Sequence, residues 1–281
     1  LQPVFVGDVQ GCVAELDEVL ERAARAWGER FELWLVGDAI NRGPGSLQVL
    51  RRVRELSERG RARFVLGNHE IAFLHTALGL RRPSPGDTFT DVLDSPELDD
   101  WVDWLLARPL VQTGVLGEQP FAMVHAAVHP RWTLEELAER AGAVQRRLSS
   151  GREAARSFLA SDRERRKRNA LDRLTSCRSV SGDAWSSSPP QQGFVAWHAA
   201  WSRQSHSYGV VYGHWSLQGL HVAAGLRGLD TGCVHHGRDG DRWLTAWIPD
   251  PRSARPFDVP DRNFWQVPAR RAYYGTAHAS S

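Results

Sequence analysis

Two periods of hydrophobic residues alternate along the first part of the chain. Short apolar runs at Pro3–Val6, Phe31–Val36 and Arg63–Leu66 suit buried or half-buried strands. Each stops at a glycine followed by a short polar residue: Gly7-Asp8, Gly37-Asp38 and Gly67-Asn68. Between them, Leu16, Val19, Leu20, Ala23, Ala24 and Trp27 recur at helical spacing. So do Leu47, Leu50, Val53 and Leu56, with Pro44 placed near a helix start. The pattern predicts a βαβαβ unit, and open αβ sheets bind ligands at the carboxyl ends of their strands.

The middle of the chain reads as largely helical. A segment from Ser95-Pro96 carries Trp101, Trp104 and Leu105 and closes at Pro109. A strand at Phe121–Val124 then ends at His125. Thr133 and Glu136 have the spacing of a capping box for a helix toward Leu148. A second helix is expected from about Arg152 to the charged run 162–168. The Ser-, Gly- and Pro-rich stretch Ser176–Gln192 reads as a long loop of the kind often used as a lid. Strands return at Val210–Tyr212 before Gly213-His214, at Leu226–Leu229 before Asp230, and at Trp243–Ile248. The tail after Pro249 has few periodic signals. The expected organisation is one αβ body spanning 1–281, with a helical cap inserted at about 130–175.

With 281 residues, 42% hydrophobic and 24% charged, the chain can bury a substantial core and is not disordered as a whole. No apolar run approaches the roughly 20 residues of a membrane-spanning helix, and the opening residues carry no secretory pattern. The 35 basic and 33 acidic residues leave a formal charge of +2, so net charge demands no nucleic-acid face, and no DNA partner is expected. Lys167 is the only lysine, a chain-wide bias that argues against reading every arginine as a phosphate clamp. Three cysteines without CxxC spacing point to a reducing, cytoplasmic compartment.

Asp8, Asp38, Asn68, His125 and His214 each follow a strand end. Mixed oxygen and imidazole ligands suit Mn²⁺, Fe²⁺, Co²⁺ or Zn²⁺ better than an all-oxygen Mg²⁺ or Ca²⁺ site. One carboxylate bridging two ions about 3.5–4 Å apart would make a two-metal hydrolytic centre.

Gly7-Asp-Val-Gln-Gly11, Gly37-Asp-Ala-Ile-Asn-Arg-Gly43 and Gly67-Asn-His-Glu70 recur about every 30 residues. Together they resemble the metallophosphoesterase superfamily in its phosphoprotein-phosphatase-like branch. Gly43-Pro-Gly-Ser-Leu47, Tyr212-Gly-His-Trp215 and Leu229-Asp-Thr-Gly-Cys233 narrow the likeness to the bacterial symmetrical diadenosine tetraphosphatases, over nearly the whole chain. The resemblance implies an α/β fold, a β-sandwich of two mixed sheets flanked by helices with a helical cap. It also implies two divalent ions, Mn²⁺ or Co²⁺ foremost. Asp8 would bind the first, Asp38 would bridge both, and Asn68, His125 and His214 would bind the second. Gln10 stands where phosphoprotein phosphatases have a ligand histidine, and is either a weak ligand or the holder of a metal-bound water.

The same likeness gives Arg42 the task of gripping phosphoryl oxygens and His69 that of general acid to the leaving group. The carboxylate that usually orients this histidine is replaced by Asn41, which can orient His69 but cannot stabilise its charged form. That suits a good leaving group such as ADP. Glu70 replaces the more usual Asp and resembles the phosphoprotein phosphatases, though either acid would serve a helix N-terminus. Arg173, in Asn169-Ala-Leu-Asp-Arg173, is expected to meet a distal phosphate. Trp197, Trp201 and Trp215 are candidates for adenine stacking, and His235 and His236 for phosphate contact.

The implied reaction is in-line attack of water on diadenosine tetraphosphate beside its central bridging oxygen, giving two ADP. Other dinucleoside polyphosphates and the dinucleoside polyphosphate caps of RNA 5′ ends would fit the same chemistry. Two rival readings are a serine/threonine protein phosphatase and a non-catalytic nucleotide or RNA sensor.

Overall fold

The computed structural model of the chain describes residues 1–161, 164–235 and 242–274, with Arg165 described by its backbone alone. The N-terminal alternation forms as the pattern predicts: β1 (Gln2–Val6), α1 (Val13–Trp27), β2 (Phe31–Leu35), α2 (Ser46–Glu58), β3 (Ala62–Phe64) and α3 (Asn68–Ala77). The three strands are parallel, with Val4 opposite Leu33 and Leu33 opposite Ala62. The short helix α4 (Thr90–Leu93) and α5 (Leu98–Leu106) lead into the antiparallel pair β4 (Val111–Leu116) and β5 (Gln119–Val124).

Next come α6 (Leu134–Leu148), α7 (Arg152–Ala160) and α8 (Arg165–Ser176). The expected capping box is formed: Glu136 N–H donates to Thr133 Oγ1 at 3.1 Å and Thr133 N–H to Glu136 Oε2 at 3.0 Å. The helix expected from Arg152 ends at Ala160, and the described part of the charged run from Arg165 on opens a further helix, α8.

The stretch read as a loop holds β6 (Ser179–Ser181) and β7 (Ala184–Ser186), which join β8 (Val195–Ala196) just beyond it in a small antiparallel sheet ordered β7-β6-β8. Its strands are too short for a period to register. The chain ends with α9 (Trp197–Trp201), β9 (Gly209–Tyr212), a 3₁₀ turn at Ser216–Gln218, β10 (His221–Ala223), β11 (Leu226–Gly228), β12 (Trp243–Trp247) and β13 (Phe264–Pro268). β4, β10 and β13 are edge strands that the apolar pattern did not announce.

Two five-stranded mixed sheets result, in the orders β13-β12-β1-β2-β3 and β10-β11-β9-β5-β4. Alternation along β1 explains their packing. Phe5 turns inward with Trp34 and Trp247 against Phe121, Met123 and Val211 of the second sheet. The Phe121 ring lies 5.4 Å from both Phe5 and Trp34. Val4 and Val6 face the other way, into a core shared with Leu16, Val19 and Ala23 of α1. Because both faces of β1 are covered, its run is apolar without a break. Each fully buried Phe or Val side chain there contributes about 2 kcal/mol.

This is the expected α/β architecture of two mixed sheets flanked by helices. β1, β2 and β3 are parallel, and so are β5, β9 and β11. The residues following these six strands supply the site. No helix among the described residues is long and apolar enough to cross a membrane.

Candidate active site

Asp8, Asp38, Asn68, His125 and His214 come together, and all but Asn68 are nearly fully buried. Oxygen and nitrogen atoms of Asp8, Asp38 and His125 lie within 4.8 Å of one another. Asn68 Oδ1 stands 3.0 Å from His125 Nε2 and 2.8 Å from His214 Nδ1. The outer nitrogen of each imidazole is already committed: His125 Nδ1–H donates to the Val36 carbonyl at 3.0 Å and His214 Nε2–H to the Ser176 carbonyl at 3.1 Å. The inner nitrogens therefore present lone pairs, as metal-ligating histidines do when their far side is fixed by an acceptor. Three lone-pair atoms facing one another need a cation between them, or else an amide turned to offer its NH₂.

The backbone is shaped around these groups. Five non-glycine residues among those described have positive φ: Gln10, Asp38, Asn41, Arg42 and His214. All belong to the site, where such strain is commonly held by the surroundings. The glycines before Asp8, Asp38, Asn68 and His214 allow the close approach. A Cβ on Gly67 would collide with the Asp38 carboxylate, and one on Gly213 with that of Asp8. His214 N–H donates to both Asp8 oxygens, at 3.1 and 3.2 Å, and His69 N–H to Asp38 Oδ1 at 2.9 Å.

Burial of several acids together raises their pKa values. Asp8 lies well above the usual range, through burial and then the charges of Asp230 and Asp38. Asp38 is pushed up to about 7, chiefly by burial. The imidazoles move the other way: burial lowers His125 to about 4 and puts His214 well below its ordinary value. An electron-rich, proton-poor nitrogen set beside carboxylates that resist ionisation has the donor chemistry of a divalent-cation site. A second buried group, Cys12, Glu15 and Cys233, also brings ligand atoms within 4.8 Å of one another.

The other expected residues divide. Gln10 turns its NH₂ to Asp38 Oδ2 at 3.4 Å, which makes it a donor to the carboxylate in this conformation. Asn41 Oδ1 accepts from the Arg42 and Thr88 N–H groups, at 2.9 and 2.8 Å, so its NH₂ faces His69 Nδ1 at 2.9 Å and Asp87 Oδ1 at 3.0 Å. Asp87 is thus the carboxylate behind His69, acting through Asn41. His69 Nε2 lies 3.6 Å from Asp38 Oδ2, and burial, followed by the charge of Arg42, lowers its pKa to about 3. Arg42, half-buried, lies beside this group. His235 packs near Tyr274, with ring centroids 6.0 Å apart, in the electrostatic field of Arg42. His236 is outside the described residues. Trp215, half-buried, directly follows the His214 position.

Three substrate expectations are corrected. Trp197 is 1% exposed and meets the Tyr212 ring edge-on at 4.8 Å, while Trp201 is 4% exposed and stacks on His206 at 3.9 Å. Both are core residues without a free face for a base. Arg173 is 2% exposed, with its Nη2 donating to the Asp183 carbonyl at 2.7 Å. It sits inside the helical segment and cannot meet a phosphate there.

Three contributors were missed by the sequence reading. Arg178 is anchored by the Ser187 and His214 carbonyls, at 2.7 and 3.2 Å, in the field of Asp230, Asp8 and Asp38. No motif marked it, because it lies in the stretch read as loop. Asp230 is raised to about 6, mainly by burial, and follows a strand end as Asp8 and Asp38 do, which was its available signal. Asp87 carried none. Glu70 is wholly buried: Oε2 accepts from Gly67 and Asp38 N–H, and Oε1 from Ala39 and Ile40 N–H. Its longer side chain pins the turn carrying Asp38, a structural role that removes it as a pointer to protein substrates.

Residues 2–141 match the family model of the calcineurin-like phosphoesterases. The sandwich, with its candidate site residues at six strand ends, is a metallophosphoesterase fold. Over 255 residues the chain is 38% identical to a symmetrical bis(5′-nucleosyl)-tetraphosphatase of Ralstonia nicotianae, covering 85% of this chain and 87% of that one. A namesake from Burkholderia mallei is 34% identical over 275 residues, covering 90% and 92%. The chain belongs to the symmetrical bis(5′-nucleosyl)-tetraphosphatase family. A crystal structure of a candidate diadenosine tetraphosphatase superposes with a TM-score of 0.62 at 21% identity, covering 95% of this chain and 93% of that one. A Saccharomyces cerevisiae protein serine/threonine phosphatase gives 0.54 at 13% identity, covering 95% and 79%. These two likenesses concern the fold alone.

Proposed function

We propose that this protein is a metal-dependent hydrolase that cleaves diadenosine tetraphosphate symmetrically into two molecules of ADP. The observation that carries the reading is the convergence of the Asn68 amide oxygen and the lone pairs of His125 and His214 beside two buried carboxylates. Family membership supplies the substrate class. The donor set fits two divalent ions, with Asp8, Asp38, Asn68, His125 and His214 as holders; mixed oxygen–imidazole ligation suits Mn²⁺, Fe²⁺, Co²⁺ or Zn²⁺, and the family likeness puts Mn²⁺ or Co²⁺ foremost. When bound, such ions supply Lewis acidity, which acidifies water and withdraws charge from a phosphoryl group.

The chain's own residues would do the remaining work. Arg42 and Arg178 would grip oxygens of the attacked phosphate, where charge gathers in the transition state. His69 would direct its Nε2–H at the departing ADP oxygen, since Asn41 occupies Nδ1. Glu70 and Gln10 hold the Asp38 turn and carboxylate in place. Trp215 would stack an adenine, and His235 would approach an outer phosphate. Dinucleoside polyphosphate caps on RNA 5′ ends present the same bridging phosphates and are included in the proposed range.

The test is reconstitution. Chelator-stripped protein should hydrolyse nothing, regain diadenosine tetraphosphatase activity with Mn²⁺ or Co²⁺, and stay inactive as Asp38→Asn. Full activity in excess chelator, or an active Asp38→Asn variant, would refute the metal-dependent reading.

A further inference from the structure

Arg42 is held in one pose by its surroundings. Its Nη1 donates to the Gly86 carbonyl at 2.5 Å and to Tyr274 Oη at 3.0 Å, while the guanidinium carbon lies 4.7 Å from the Tyr274 ring centroid. No hydrogen bond among the described residues uses its Nε or Nη2. Those two donors form one edge of the guanidinium and match two oxygens of a phosphoryl group.

Tyr274 is itself secured from two sides. Its N–H donates to the Val234 carbonyl at 3.1 Å, and it pairs with His235 as a parallel bridge. Four residues upstream, Arg270 N–H donates to Glu15 Oε1 at 2.8 Å, and Tyr273 Oη donates to the same oxygen at 2.8 Å. Glu15 is fully buried in the first turn of α1. The chain beyond β13 is thus strapped across α1 and brings a phenol to the proposed phosphate arginine. Gly86 closes the arrangement: a Cβ there would stand 2.6 Å from Arg42 Nη1 and 2.7 Å from Tyr274 Oη.

We propose that Tyr274 is a positioning residue for the phosphoryl-binding arginine, holding the Nη1 end of Arg42 so that its Nε–Nη2 edge stays turned to substrate. The inference rests on the reading of Arg42 as a phosphoryl ligand. Hydrogen bonding and cation–π contact each limit the rotation of a side chain with many rotamers, and misplacing a reactant-binding group is costly in rate.

A double-mutant cycle tests it with Arg42→Ala, Tyr274→Ala, Tyr274→Phe and the pairs. Two quantities are read on Mn²⁺-loaded protein: kcat and KM for ADP release from diadenosine tetraphosphate, and the calorimetric Kd for inorganic phosphate. Tyr274→Ala should lower kcat/KM and weaken phosphate binding about tenfold, and Tyr274→Phe by about threefold, from the lost contacts. Neither should add anything once Arg42 is alanine. Gly86→Ala, which crowds the same pair, should behave like Tyr274→Ala. An equal loss in the Arg42→Ala background would overturn the proposal, as would no loss in either quantity or an Arg42→Ala variant with unchanged phosphate affinity. If the wild type binds phosphate through Arg42 but releases no ADP, the tetraphosphatase reading fails while the phosphate cycle still decides for or against Tyr274.

Discussion

Asn41 offers His69 a hydrogen-bond donor where a carboxylate would offer an acceptor. Its amide cannot turn over without breaking the bonds that Arg42 N–H and Thr88 N–H make to Oδ1. The His69 proton is consequently placed on Nε2, toward the site, and the cationic form loses a hydrogen-bond acceptor at Nδ1. Help to the leaving group is then modest, enough for ADP and poor for an alkoxide. Asn41→Asp should raise activity on aryl phosphates with poor leaving groups by about tenfold or more relative to good ones, within the usual range of general acid catalysis. A series of graded phenols would show it as a shallower dependence of kcat/KM on leaving-group pKa; an unchanged slope would contradict the role given to Asn41. The acids make a second prediction at this scale. Asp38, raised to about 7, keeps most of its proton at pH 6, whereas a bound cation requires the carboxylate. The inner nitrogen of His125, whose pKa is lowered to about 4, is already bare at that pH. Metal binding should therefore release more protons at pH 6 than at pH 8, with affinity rising across that interval. Calorimetry in buffers of different ionisation enthalpy would measure this, and equal release at both pH values would contradict it.

The C-terminal end of α8 and the strand after it separate two arginines that the sequence could not tell apart. Arg173 lies in a resemblance motif and Arg178 in none, yet the helix turns Arg173 inward and the chain beyond Ser176 carries Arg178 beside the acids. Helical phase alone could place Arg173 on a buried face, but no local signal fixed where α8 stopped. Arg173→Met should leave KM for diadenosine tetraphosphate within about twofold, since it removes a buried group with Nε and Nη1 unpartnered and no exposed face. Arg178→Ala should lower kcat/KM by about a hundredfold, the scale of a lost transition-state charge contact. Steady-state kinetics on both variants decides the assignment, and a reversal of the two effects would return the phosphate to Arg173. The small sheet β7-β6-β8 was illegible for a related reason: two- and three-residue strands leave no alternation to read, and their Ser- and Gly-rich sequence mimics a loop.

At the scale of the molecule, the strands that lead into the site were the most legible, because β1, β2, β5 and β9 are largely buried and most of the strands run into a glycine, as at Gly7, Gly37, Gly67 and Gly213. Edge strands such as β4 and β13, half-exposed and irregular in pattern, were the least. The metal-ligand set could be proposed from strand ends alone. Its partners could not: Arg178, Asp87 and Tyr274 arrive from segments distant in sequence, and Trp197 was misread because a buried tryptophan and a stacking one look alike in sequence. In the proposed reaction this assembly holds the tetraphosphate so that water attacks beside the central bridging oxygen. Hydrolysis of diadenosine tetraphosphate in ¹⁸O-enriched water by the Mn²⁺- or Co²⁺-loaded protein, with products separated by anion exchange and weighed by mass spectrometry, tests that claim most directly. ADP is expected as the sole initial product, with one labelled oxygen in half of the molecules. ATP with AMP, or no product under any divalent ion, would contradict it.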